Sequence, residues 1–202
     1  MFALVESGSI TKYLKGNKGI TIDGIQHPRT IFTLWTEAER NAIGIYEVTI
    51  DTSKKKDEKW YTNTNITYAF SGGKVTGSYG DATAKKHADT KWTQQQIDDG
   101  EAPDGADTDT VAVKGLKTVL IEQVKLQAES ELNRTDWYIT RKAEKNTAIP
   151  SAITTHRDAV RTKQADMETA ITNASDTPAL ETLYIRNDSG VRPIGDLPIK
   201  EF

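Results

Sequence analysis

Hydrophobic spacing changes character once along this chain, and that switch restricts the fold more than any single motif. Up to about residue 80, apolar residues come in short runs separated by glycine-bearing turns; beyond residue 110 they recur every three or four positions. Short bounded runs indicate strands, whereas three-to-four spacing indicates an amphipathic helix. The expected class is therefore α+β: a small β-rich N-terminal domain (residues 1–80) with one short helix, followed by a C-terminal helical hairpin (111–202) with an extended tail. Between them, 81–110 reads as a linker with a short helix and an acidic loop.

In the first part, Phe2–Glu6 and Ile10–Leu14 flank Ser7-Gly8-Ser9, a three-residue connection. Gly16 and Gly19 bound Ile20–Ile22, which Asp23-Gly24 closes as a turn pair. Thr36-Glu37-Ala38-Glu39 is a capping box, in which hydroxyl and carboxylate each satisfy a backbone amide. It predicts a short helix to about Ala42, stopped at Gly44. Strands are expected at Ile45–Ile50, within Trp60–Phe70 and at Lys74–Tyr79, the last two joined by Ser71-Gly72-Gly73.

A helix over Asp81–Gln96 would place Ala82, Ala84, Ala88 and Trp92 loosely on one side, and Asp98–Asp109 is an acid- and glycine-rich loop. From Val111 to Leu132, Val113, Leu116, Leu120 and Val124 form one stripe. Val119 and Leu126 lie off it and imply a second covered side. A further helix is expected from Pro150 to Ala174, with Ile153, Val160, Met167 and Ala174 seven apart, and a short one from Thr177 to Tyr184.

Composition excludes several functions. There are no cysteines, so disulfides and thiolate metal sites are ruled out, and a reducing compartment is the natural expectation. Charge is balanced: 13 basic against 16 acidic residues up to Thr110, and 13 against 13 after it. A nucleic-acid partner is not expected without a positive excess. A membrane partner is not expected either, since no run reaches the ~18 apolar residues of a span. Met1-Phe-Ala-Leu-Val-Glu6 is too short and lacks the basic lead of a signal peptide. The sequons at Asn65, Asn133 and Asn187 are read as chance matches.

Catalytic patterns do not emerge. His27, His87 and His156 are far apart in unlike contexts, and no His-x-x-x-His or His-Glu pairing stands at metal-ligand spacing, so no metal or cofactor is expected. The acid pairs Glu37/Glu39 and Glu129/Glu131 read as solvated helix faces. Asp107-x-Asp109 offers hard oxygen ligands but lacks the rest of a calcium loop. Trp60, Tyr61, Tyr68 and Tyr79 could stack on sugars, a host-glycan-binding alternative, although strand aromatics are core material first. The most distinctive run is Thr135-Asp136-Trp137-Tyr138, which reads as a corner between helices. There Asp136 would cap the next turn and Trp137 would plug the gap.

That corner carries a resemblance. The run Leu132-Asn-Arg-Thr-Asp-Trp-Tyr-Ile-Thr-Arg-Lys-Ala-Glu144, then Ala148-Ile-Pro150 and His156-Arg-Asp-Ala-Val-Arg161, resembles tail fibre assembly proteins and related small tail-associated proteins of tailed bacteriophages. In these a helix ends at a Thr-Asp-Trp corner, and the next carries Tyr-Arg-x-x-x-Arg; here His156 stands in place of the tyrosine. Ile31-Phe-Thr-Leu-Trp-Thr-Glu-Ala-Glu39 and Ile43-Gly-Ile-Tyr-Glu-Val48 resemble the opening domain of such proteins, where an apolar strand enters a short helix. Residues 49–110 carry no resemblance. The likeness implies a non-enzymatic structural or adaptor protein of a phage tail or tail fibre. Its partners would be other tail or fibre proteins or copies of itself. Its location would be the virion tail, or the host cytoplasm during assembly. An assembly chaperone that leaves the particle is the other role the likeness implies. Trp35, Asp136, Trp137, Arg157 and Arg161 are the candidate interaction residues. Arg157 and Arg161, four apart, either clamp a partner carboxylate or pair with Asp136 and Asp158.

Overall fold

The structure, a computed structural model, describes residues 1–200. It is α+β, β-rich first and helical after, and divides into two compact units, Met1–Thr83 and the chain from Ala84 onward.

The first unit is built on two-residue hairpins. Strands β1 (Phe2–Glu6) and β2 (Ser9–Leu14) are joined by Ser7-Gly8, and β3 (Ile20–Ile22) and β4 (Ile25–His27) by Asp23-Gly24. All four turn residues have positive φ, between 49° and 78°. This mirror-image turn matches the right-handed twist of paired strands. Ser9 therefore belongs to β2, and the first connection is one residue shorter than expected. After helices α1 (Ile31–Leu34) and α2 (Glu37–Ala42) come β5 (Ile45–Asp51), β6 (Tyr61–Thr62), β7 (Thr67–Ser71) and β8 (Lys74–Ser78). Gly72-Gly73 closes the β7–β8 hairpin. The main sheet has the order β2-β1-β5-β8-β7, antiparallel except for the parallel β5–β8 pair.

Alternation gives this sheet a core on each face. Leu4, Leu14 and Ile45 pack with Ile20, Ile22, Ile31 and Phe32 on one face; Ala3, Val5 and Val75 pack with Tyr46, Val48 and Phe70 on the other. Ile31 and Ile45 are almost completely buried, and each contributes on the order of 2 kcal/mol. Ile31–Leu34 is helical where the resemblance implies a strand, so the unit has two short helices. Adjacent Ile31 and Phe32 both enter one core, which a strand's alternation forbids. The α2 capping box forms: the Glu39 amide donates to Thr36 Oγ1 (3.3 Å) and the Thr36 amide to Glu39 Oε2 (2.7 Å).

After β9 (Thr83–Ala84), the second unit contains β10 (Thr90–Lys91), α3 (Gln94–Asp98), β11 (Val111–Val113), α4 (Leu116–Asn133), α5 (Asp136–Lys145), α6 (Ser151–Asn173) and α7 (Thr177–Tyr184). The helix expected over Asp81–Gln96 is absent apart from the start of α3. Its alanines bury too little surface, and its backbone is used otherwise. The carbonyls of Lys86 and His87 accept from the amides of Leu116 and Lys117 (both 3.0 Å), satisfying the first turn of α4. Val111–Val113 pairs with Thr90–Lys91 instead of opening the long helix, which starts after Gly115.

Helices α4 and α6 pack along each other. Leu120, Val124 and Ala128 face Ile153, Val160, Met167 and Ile171, and Leu180 of α7 and Ile194 of the tail are also buried. Val119 and Leu126 are exposed, Leu126 by 65%, so the second covered side of α4 does not exist. Among the described residues no helix is long and apolar enough to cross a membrane.

Candidate protein-docking site at the helix corner

Polar groups buried where α4 turns into α5 set the geometry of this site. The inward stripe of α6, anchored by Ile153 and Val160, carries His156 and Arg157 between them, each only 7% exposed. Arg157 Nη1 donates to the Leu132 carbonyl, to Thr135 Oγ1 and to Asp136 Oδ1, each at 2.7 Å. Thr135 is fully buried, and its hydroxyl donates to the Leu132 carbonyl at 3.0 Å. A guanidinium thus sits on the Leu132 carbonyl in the last turn of α4, where the helix dipole favours a cation. The same group holds the first acid of α5.

Beside it, Glu131 accepts from His156 Nε2 and Arg134 Nη1 (both 2.9 Å) and from the Lys200 amide at 3.3 Å. Burial by itself raises the Glu131 carboxyl, but the bonds from Arg134, His156 and Lys200 outweigh it and leave it below the usual carboxylate value.

Trp137 does not plug the gap between the helices. Thr135 and Arg157 already occupy that space, and Trp137 is 52% exposed. Its ring lies 3.8 Å from that of Tyr138, tilted by 32°, and the Arg141 guanidinium stands over both, 4.7 Å and 5.3 Å from the centroids. Asp136 does not cap α5 through its carboxylate either, because Arg157 takes it.

No family model, curated protein or solved structure matches the chain. Asp136, Trp137 and Arg157 come together at the corner. Arg161 does not share a clamp with Arg157: it is exposed, pairs with Asp158 at 3.3 Å and borders an open groove of about 720 Å³ with Leu132, Gln164 and Glu168. Trp35 lies in the first unit, half-buried against its core, its ring 5.8 Å from His27 and its carbonyl bonded by Arg40 Nη1. Glu131 does not lie on a solvated face as its pairing with Glu129 suggests but is buried, because Arg134, His156 and the Lys200 amide satisfy its carboxylate; His156 and Arg141 were missed as site residues. The signal for His156 was present: positions 153, 156, 157 and 160 share one helix face, so a polar residue between two apolar anchors must find a buried partner.

Elsewhere, the Asp107-x-Asp109 pair of the loop has partners within the chain. Asp107 Oδ1 accepts from Thr110 Oγ1 (2.7 Å) and the Asp109 amide (3.0 Å), while Asp109 pairs with Lys91 at 2.7 Å. Trp60 and Tyr61 are buried and available only as core.

Proposed function

We propose that this chain is a non-enzymatic protein of a phage tail or tail fibre, acting as a structural adaptor through protein–protein contacts. One observation carries the reading: a buried Arg157 node fixes the α4–α5 corner and leaves Trp137, Tyr138 and Arg141 as a rigid aromatic–guanidinium platform on the surface. Tryptophan, tyrosine and arginine are the residues that most often dominate binding energy at interfaces, and pre-organisation lowers the entropy cost of docking. The resemblance of the Thr135-Asp136-Trp137 run supplies the biological setting, with other tail or fibre proteins, or copies of this chain, as partners. In that setting the protein resides in the virion tail.

Quantitative mass spectrometry of purified particles, from a phage encoding the chain, tests this. Stoichiometric copies per particle are expected. Near-zero copies in particles, with abundant protein in the infected cell, would replace the adaptor with a transient assembly chaperone.

A further inference from the structure

Helix α5 has no buried residue, and Trp137 and Ile139 on it are 52% and 42% exposed. A helix of 10 residues takes most of its stability from packing, so one face of α5 lacks its cover. The helical repeat places Trp137, Tyr138, Arg141, Lys142 and Lys145 within an arc of about 140°, with Glu144 at its edge. Asp136 lies off this arc and is held by Arg157. Among the described residues none of the three cations has an ion pair. Arg141 Nε, shut off from solvent, has no hydrogen-bond partner. The face is two aromatic rings beside three uncompensated positive charges.

Its complement lies in the same unit. From Trp92 to Val113 the chain carries six carboxylates and no basic residue. Asp107 and Asp109 are engaged as described above, and Asp98 and Asp99 accept from the side-chain amides of Gln94 and Gln95. Glu101 and Asp104 are exposed on either side of exposed Pro103, and among the described residues neither has an ion pair. This segment is held in shape: the Glu101 amide donates to the Gln96 carbonyl at 2.9 Å and the Ala106 amide to the Pro103 carbonyl at 3.0 Å. A proline between two acids fits aromatic rings beside cations, since proline docks on aromatic side chains and charge pairs exclude wrong partners. No ion pair joins the loop to α5 within one chain among the described residues. The occupant that the charges fit is therefore another copy.

We propose that α5 docks the acidic loop of a second copy of this chain, with Pro103 on the Trp137–Tyr138 rings and Glu101 and Asp104 on Arg141, Lys142 and Lys145. The aromatic contact supplies most of the binding energy, because exposed ion pairs are individually weak, while the charges choose the partner. A loop-on-helix contact joins unlike surfaces, so it either closes reciprocally in a dimer or propagates head to tail. The inference rests on the reading of the platform as a docking surface and names its partner.

The test is sedimentation velocity of the full chain, at concentrations up to about 1 mM because so small an interface is transient. The mass should climb above the 22.4 kDa of one chain as concentration rises, and fall back when salt is added. The double variants Lys142→Glu/Lys145→Glu and Glu101→Lys/Asp104→Lys change only exposed side chains, and each should weaken association about ten-fold. Trp137→Ala should weaken it about as much. Mixed together, the two double variants should bind each other about as tightly as the parent chain binds itself. A parent chain that stays at 22.4 kDa throughout, or a mixture no tighter than its components, overturns the proposal. Tighter binding of α5 to a single-stranded oligonucleotide or to anionic vesicles than to a second copy would overturn it too. The particle measurement separates this from the adaptor reading. Stoichiometric copies in particles of a chain that is monomeric in solution would keep the adaptor and give the platform a different protein. Self-association without copies in particles would drop the adaptor and keep this contact.

Discussion

Glu131 shows how a residue with no sequence signature comes to govern local stability. It is 8% exposed, and three donors converge on it from α4, α6 and the tail. Its carboxyl lies below the ordinary 4.5 in the folded chain. The unfolded state therefore binds the proton more tightly, and stability contributed by Glu131 is complete above the unfolded value. That stability is lost as pH falls through the lower, folded one. Glu131→Gln removes the titration and weakens charge-assisted bonds worth about 1–3 kcal/mol. Urea midpoints recorded from neutral pH down through the carboxylate range should show the variant less stable at neutral pH. The gap to the parent should narrow on acidification. Parallel curves would mean that Glu131 does not hold the corner.

At the scale of elements, the strand-to-helix junction before α4 is the sharpest case. Gly115 has an ordinary φ, yet a Cβ there would stand 2.3 Å from the Ala88 backbone, and its amide donates to Asp89 Oδ1 at 2.7 Å. That bond, ahead of one from Thr118, lowers the Asp89 carboxyl. Gly115→Ala must push two backbones apart and should cost about 2–3 kcal/mol, as overpacking does. Gly100→Ala, at φ +73° with open space around it, should cost only about 1 kcal/mol of local strain. Thermal unfolding of both variants checks the order. The same junction explains what the sequence hid. The turns at Asp23-Gly24 and Gly72-Gly73, and the Thr36 box, are local and legible in residue order, whereas the Ser7-Gly8 hairpin is one residue tighter than expected and strand β4 carries no expectation. The α6 stripe is legible from its spacing. Strands β10 and β11 are not, because contacts with residues far along the chain hold this region: α4 amides on the Lys86 and His87 carbonyls, and Thr177 Oγ1 on the Lys85 carbonyl at 2.6 Å. At the corner, Arg157 and Asp136 were legible as a pair of opposite charges. That their pairing would leave Trp137 outside was not, since it depends on Thr135 filling the space first.

For the molecule as a whole, the two units have separate cores, one strung between a mixed sheet and short helices, the other between α4 and α6. Each should respond to its own lesions. Arg157→Ala deletes bonds to three acceptors at a nearly buried guanidinium and should remove about 2–4 kcal/mol from the second unit. Opening free energies differ between contiguous cooperative regions, and hydrogen exchange reads them region by region. The variant should therefore speed amide exchange in α4, α5 and α6 while β1, β5 and β8 keep their protection. Equal loss of protection in those strands would show that the cores melt as one. The same variant separates scaffold from surface at the docking platform. Trp137 and Tyr138 remain in the chain, but the corner that orients them is loosened, so partner binding should fall through ordering cost rather than lost contact. Trp137→Ala should weaken the same binding without altering exchange in α4, because its half-exposed ring holds nothing in the core together. Exchange that accelerates in α4 on Trp137→Ala would instead make the tryptophan a structural residue and remove the platform as a docking surface.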